Sequence, residues 1–139
     1  MEKKILRIVD ANYNRTKEAL RVVEDLLRFL WEDKSLTRKL KHMRHNLTEI
    51  FNRNLFNKMI SQRDSQKDIG KTLDSLELKR RDIKDILFAN LQRAKESVRV
   101  LEEISKIINK NSVCKLKKMR YNLYSLEKNV EKKYLHNNR

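Results

Sequence analysis

The sequence predicts an all-α fold: a four-helix bundle made of two duplicated helical hairpins, with pseudo-two-fold symmetry and a long functional loop connecting them. Three observations carry that reading. One glycine and no proline occur in 139 residues, which excludes the turn-rich β architectures that depend on them. Hydrophobic residues (39%) and charged residues (38%) are nearly balanced, as in solvated helices around a single apolar seam. Finally, the chain repeats itself. Ala11-Asn12-Tyr13-Asn14-Arg15-Thr16-Lys17-Glu18-Ala19-Leu20-Arg21-Val22-Val23-Glu24 returns as Ala89-Asn90-Leu91-Gln92-Arg93-Ala94-Lys95-Glu96-Ser97-Val98-Arg99-Val100-Leu101-Glu102, at an offset of 78. Leu40-Lys41-His42-Met43-Arg44-His45-Asn46-Leu47 returns as Leu116-Lys117-Lys118-Met119-Arg120-Tyr121-Asn122-Leu123, at an offset of 76.

Each element follows from its own pattern, within one domain over residues 1–139. In repeat one, about 8–57, a first helix is expected near 8–31, where Thr16, Ala19, Leu20, Val23, Leu26, Leu27 and Leu30 share a face at spacings of three and four. Asp33-Lys34-Ser35 is a short polar break with cap formers. A second helix follows near 34–57, with Leu36, Leu40, Met43, Leu47, Ile50 and Phe51 inward. Residues 58–82 break the pattern and hold Arg63-Asp64-Ser65-Gln66-Lys67-Asp68-Ile69-Gly70-Lys71, including the only glycine. A connection of that length within a compact domain, with two aspartates and a glycine, favours function over a plain linker. Repeat two, about 83–134, supplies a third helix near 82–109, with Ala94, Ser97, Val98, Leu101, Ile104 and Ile108 inward. After Asn109-Lys110-Asn111-Ser112, a fourth near 112–134 carries Leu116, Met119, Leu123, Leu126 and Val130. Short breaks make the hairpin partners antiparallel.

The net charge of +15 predicts anionic partners, and it does not by itself choose among phosphates, nucleic acids and acidic membranes. No apolar run approaches the roughly 20 residues a membrane span needs, and Arg7 and Asp10 interrupt any leader-like stretch. A soluble, cytoplasmic protein is expected. The lone Cys114 cannot form an internal bridge and reads as a small core residue. With a single glycine there is no glycine-rich phosphate loop. His42, His45 and His136 lack partners at zinc spacing, and Trp31 and Phe29 read as hairpin core.

On a wheel of about 100° per residue, Asn12 aligns with Leu30 on the apolar face and Asn90 with Ile108, while Arg15 and Arg93 flank those faces. Burying an amide and a guanidinium is costly unless each finds partners. One reading pairs Asn12 with Asn90 across the repeat to fix helix register. The other places both Asn–Arg pairs in the first turns of their helices, where free N–H groups and the dipole favour a phosphate. Arg44 and Arg120 sit at the stripe edges, to point into the same basin or stay solvated. Glu18, Arg21 and Asp25, with Glu96, Arg99 and Glu103, form surface ion-pair ladders.

Arg7-Ile8-Val9-Asp10-Ala11-Asn12, Arg15…Glu18…Arg21-Val22-Val23-Glu24, Arg44-His45-Asn46-Leu47, Arg63-Asp64-x-x-x-Asp68-Ile69-Gly70 and the Ala89–Glu103 series together resemble the small helical hydroxymethylpyrimidine-phosphate kinase family. Members of that family often form the amino-terminal extension of thiamine-phosphate synthase. The resemblance covers nearly the whole chain in order. It implies ATP-dependent phosphorylation of 4-amino-5-hydroxymethyl-2-methylpyrimidine phosphate to the diphosphate in thiamine biosynthesis, with ATP and Mg²⁺ as cofactors. It further implies that Arg15, Arg93 and Arg63 hold phosphates and that Asp64 and Asp68 bind or orient the metal, Asp64 and the three arginines forming the catalytic set. Asn12 and Asn90 would hydrogen-bond pyrimidine or phosphate, with Arg44, Arg120 and Gly70 completing the binding set. Two features depart from the family pattern: the 139 residues carry no synthase domain, and Ile69-Gly70-Lys71 stands where Val-Gly-Thr is expected.

Partners are then small-molecule phosphates, with thiamine-phosphate synthase as a protein partner and a homodimer as the arrangement in which two chains share a site. The alternative is a non-catalytic basic helical module that binds the synthase or nucleic acid. Low aromatic content and inward-facing polar residues argue against nucleic acid.

Overall fold

The computed structural model describes residues 1–72 and 79–136; residues 73–78 of the connection and 137–139 of the tail lie outside it. The described residues are mostly helical, without strands. The helices are α1 (Glu2–Asp25), α2 (Lys34–Ile50), α3 (Arg53–Ser61), α4 (Ile83–Ile108) and α5 (Val113–Val130).

Helix boundaries follow from side-chain chemistry. The carboxylate of Asp33 accepts a hydrogen bond from Leu36 N–H at 3.0 Å, Asn52 Oδ1 accepts one from Leu55 N–H at 3.0 Å, and Asp82 accepts one from Asp85 N–H at 2.9 Å, capping α2, α3 and α4. α1 continues through a wide π-type turn, Leu26–Leu30, and stops at Glu32, whose φ of 50° is left-handed in the place glycine usually takes.

The second expected helix is divided. Phe51 leaves α2 in an extended conformation to bury its ring (3% exposed) against the edge of Tyr13, 5.4 Å between centroids. Asn52, which reads in sequence as part of a solvated face, then caps α3. α3 seats Met59 in the core, so the irregular part of the connection starts at Gln62 and not at 58. Phe29 (64% exposed) is outside the core, and so is Cys114.

α1 and α4 form the most extensive pairing; α2 packs on α1, and α5 on α4. Small side chains permit the close approach of α1 and α4: Thr16, Ala19, Ala94 and Ser97 are all buried, and Thr16 Oγ1 hydrogen-bonds Ser97 Oγ at 2.7 Å. Matched contacts recur in the two halves. Arg44 forks onto Glu24 at 2.8 and 3.2 Å, and Arg120 onto Glu102 at 2.7 and 3.4 Å.

The end of α5 closes on the turn of the first hairpin. Asp33 accepts hydrogen bonds from Tyr134 Oη (2.7 Å) and Lys133 Nζ (3.1 Å), while Tyr134 lies on Trp31 at 4.7 Å. The Leu36 N–H, then Tyr134 and Lys133, hold the Asp33 carboxyl down at about 2. Because that value lies below the ordinary carboxylate range near 4, this latch stabilises the fold fully above about pH 4 and is lost as pH falls toward 2. Asp33→Ala should lower stability by about 1–3 kcal/mol through loss of cap and tether. Denaturant titrations should show the deficit at pH 7 and see it shrink between about pH 4 and 2.

Candidate functional site

α1 carries a polar face opposite its core stripe. Lys4, Arg7, Ala11, Arg15 and Glu18 recur at spacings of three and four, so they line up along the helix. The segment after α3 lies beside that face, and the two enclose an open basin of about 690 Å³. The joint between them is Asp10, only 5% exposed, whose two carboxylate oxygens receive Arg63 Nε (2.8 Å) and Nη2 (2.7 Å). Asn14 Nδ2 also donates to Asp10 Oδ1 at 3.2 Å. The Asp10 hydrogen bond raises the Arg63 pKa further above its ordinary value, and a two-pronged fork of this kind fixes direction as well as distance.

Five of the residues expected from sequence therefore border one cavity: Asn12, Arg15, Arg63, Asp64 and Asp68. Asn12 is buried, donating to Ile8 O at 2.9 Å and accepting from Arg15 Nη1 at 3.4 Å. Arg15 itself is exposed on the rim. Asp64 Oδ1 accepts Lys67 N–H at 3.1 Å and Asp68 Oδ1 accepts Gly70 N–H at 2.8 Å, so both aspartates shape their own loop.

Several expectations need correction. Asn12 and Asn90 do not pair; each donates back to its own helix, Asn90 to Ile86 O at 2.8 Å. Neither Asn–Arg pair is in a first turn, because α1 begins at Glu2 and α4 at Ile83. The helix dipole, which acts within the first turn, thus does not reach either Asn–Arg pair. Arg44 and Arg120 do not border the basin: each spends its fork on a nearly buried glutamate between the helices of its own hairpin. Asn90 and Arg93 also lie outside its lining, as does Gly70. Gly70 has no positive φ, and a Cβ there would meet Asp68 Oδ1 at an ordinary 3.4 Å. The ion-pair ladders form in part: Arg21 meets Asp25 at 3.6 Å and Arg99 meets Glu103 at 3.2 Å, while Glu18 faces the basin.

Sequence reasoning passed over Lys4, Arg7, Asp10 and Glu18 as site residues. The signal for Asp10 was a place where the repeat fails: 78 residues on stands Phe88. An acid kept in one copy and replaced by an exposed aromatic in the other (Phe88 54% exposed) is a position the core does not explain.

The basin is bordered by four cations (Lys4, Arg7, Arg15, Arg63) and four carboxylates (Asp10, Glu18, Asp64, Asp68). Balanced charge of this kind suits an anion that arrives with its own cation better than a bare anion. Among the described residues, no three His, Cys, Asp or Glu side chains converge on one metal-sized point. Asp10→Asn keeps the shape and removes the charge. It should cost about 1–2 kcal/mol and speed hydrogen exchange at the Lys67 and Gly70 amides, which the released loop no longer protects.

Residues 7–129 match the profile of the ThiD2 family. Among curated proteins the chain is similar to thiamine-phosphate synthase of Synechocystis sp., 38% identical over 124 residues, covering 88% of this chain and 35% of that protein. It is similarly related to thiamine-phosphate synthase of Rhodopirellula baltica (35% over 131 residues; 93% and 35% covered) and of Nostoc punctiforme (37% over 127 residues; 91% and 35%). The chain spans about a third of the length of these relatives. No solved structure matches it.

Proposed function

The chain belongs to the ThiD2 family, and from that premise we propose that it transfers the γ-phosphoryl group of ATP to 4-amino-5-hydroxymethyl-2-methylpyrimidine phosphate, forming the diphosphate for thiamine biosynthesis. The observation that supports this reading most is the gathering of Asn12, Arg15, Arg63, Asp64 and Asp68 around one basin from two separate segments.

The acceptor's own phosphate oxygen attacks the γ-phosphorus, the bond to the bridging oxygen breaks, and ADP leaves. A phosphate monoester is largely ionised at neutral pH, its second pKa being about 6. No strong base is therefore required. What the reaction needs is to bring anions together. Arg15, Arg7 and Lys4 supply positive charge on one wall, with Asn12 donating to Ile8 O and accepting from Arg15 so that the guanidinium stays over the cavity. Arg63, tied to Asp10, holds the opposite wall and its aspartates in place.

The residues present fit Mg²⁺. Its usual protein ligands are one or two carboxylates, with substrate phosphates and water filling the remaining positions. Asp64 and Asp68 each use Oδ1 for a loop N–H, and Oδ2 makes no hydrogen bond among the described residues, so one oxygen of each remains to take an ion. Bound there, Mg²⁺ would neutralise charge on the nucleotide phosphates. Only the first repeat would carry the site, since Phe88 replaces Asp10 in the second.

The test is direct: ADP release and diphosphate formation in equal amounts when the chain is given Mg-ATP and the pyrimidine monophosphate. Turnover dependent on both is expected; release no faster than with ATP alone would overturn the reading.

A further inference from the structure

Both copies of the repeat keep Met-Arg-x-Asn-Leu, as Met43-Arg44-His45-Asn46-Leu47 and Met119-Arg120-Tyr121-Asn122-Leu123. Four of these five positions are accounted for. The methionines and leucines are buried, and the arginines clamp Glu24 and Glu102; the middle position varies. The asparagines border the space between the two helices: Asn46 is half-buried and Asn122 exposed, and neither amide makes a side-chain hydrogen bond among the described residues, although each carries two donors and an acceptor.

Their surroundings are equally specific. α2 and α5 touch only slightly, leaving a seam between them on the side of the molecule where they meet. Two adjoining hollows of about 420 and 280 Å³ run along it and share His42, Met43, Asn46 and Asn122. The floor is two thioethers, Met43 (7% exposed) and Met119 (4%). Lys39, Lys115 and Lys118 stand at the edges with His42, against a single carboxylate, Glu49. No residue borders both this seam and the α1 basin, and the chemistry differs: the basin is charge-balanced, the seam cationic with an apolar floor. On α1, the basin face of Arg7, Ala11 and Glu18 is turned well over 90° from Tyr13 and Glu24, which meet Phe51 and Arg44 at the α2 side.

We propose that the α2/α5 seam is a second ligand site, which takes a flat heteroaromatic ring carrying a phosphate. The larger hollow lies within the size range of small-molecule sites. Soft methionine sulfur packs well against aromatic faces, two amides offer paired donors and acceptors to ring edges, and Lys115 and Lys118 meet a phosphate. A nucleoside monophosphate and the pyrimidine monophosphate share this chemistry.

The experiment is a side-chain amide NMR titration of the ¹⁵N-labelled full chain with AMP, the pyrimidine monophosphate, adenosine and inorganic phosphate. The Asn46 and Asn122 Nδ2 resonances should move together and saturate with AMP, with the pyrimidine monophosphate, or with both; which one does so identifies the source. Adenosine and inorganic phosphate should each bind at least tenfold more weakly than the intact compound. The Asn46→Ala/Asn122→Ala variant, followed through the backbone amides of Met43 and Lys118 beside the seam, should lose the interaction by tenfold or more while the Asn12 and Asn14 amides still respond to ligands in the basin. The proposal fails if neither ring phosphate moves these amides, if inorganic phosphate alone binds as well, or if the double variant binds unchanged. Responses confined to Asn12 and Asn14 would overturn the seam site and leave the transfer reaction standing.

Discussion

Arg15→Ala is expected to slow phosphoryl transfer by about 10²–10³-fold, with helix content unchanged, whereas Arg93→Ala should stay within about tenfold of the parent chain. The repeat alone predicts equal losses, because Arg15 and Arg93 occupy matched positions. The fold breaks the equivalence. Arg15 borders the basin, is steadied by Asn12 at 3.4 Å, and faces the loop that carries Asp64 and Asp68. Arg93 is exposed and, among the described residues, forms no ion pair and has no such loop against it. On the proposed reaction, removing a cation placed against the phosphates forfeits direct charge stabilisation, while removing a solvated one away from them loses only a screened field. Steady-state ADP release with circular dichroism decides it. Equal losses in the two variants would mean that both arginines act on the phosphates, and wild-type turnover in Arg15→Ala would remove the basin as the site.

The same contrast marks how far sequence reading reached. Periodicity gave the four long helices and most of their inward residues, because a 3.6-residue pattern of leucine and valine has only one way to be buried; Leu30, expected inward, is 55% exposed because the π-type turn at Leu26–Leu30 breaks the period. It could not give the break at Phe51, which depends on a Tyr13 edge presented by another helix. The wheel placed Asn12 inward correctly. It read Arg15 and Arg93 alike, since equal angles on two helices do not reveal which one a distant loop will cover. It also left Arg44 and Arg120 without partners, although Glu24 and Glu102 stood in the repeat; pairing across a hairpin depends on helix rotation, which spacing along one helix does not fix. Asp10 was legible only as a lapse in the repeat, its partner Arg63 being 53 positions away.

Those glutamate pairs carry the largest stability effect. Arg44→Leu should destabilise the fold by about 3 kcal/mol or more, because Glu24, with only 3% of its side chain exposed, keeps its charge and loses a two-pronged partner at 2.8 and 3.2 Å. Arg120→Leu should cost less. Glu102 retains Arg99 at 3.1 Å, whereas the nearest cation left to Glu24 is Arg21 at 3.8 Å. The Glu24→Leu/Arg44→Leu double variant should recover most of the loss, since apolar replacement of a whole buried pair is often neutral or stabilising. Denaturant titrations of the single and double variants measure the order directly. A double variant as unstable as Arg44→Leu would show that the arginine stem's packing, and not the stranded carboxylate, sets the cost.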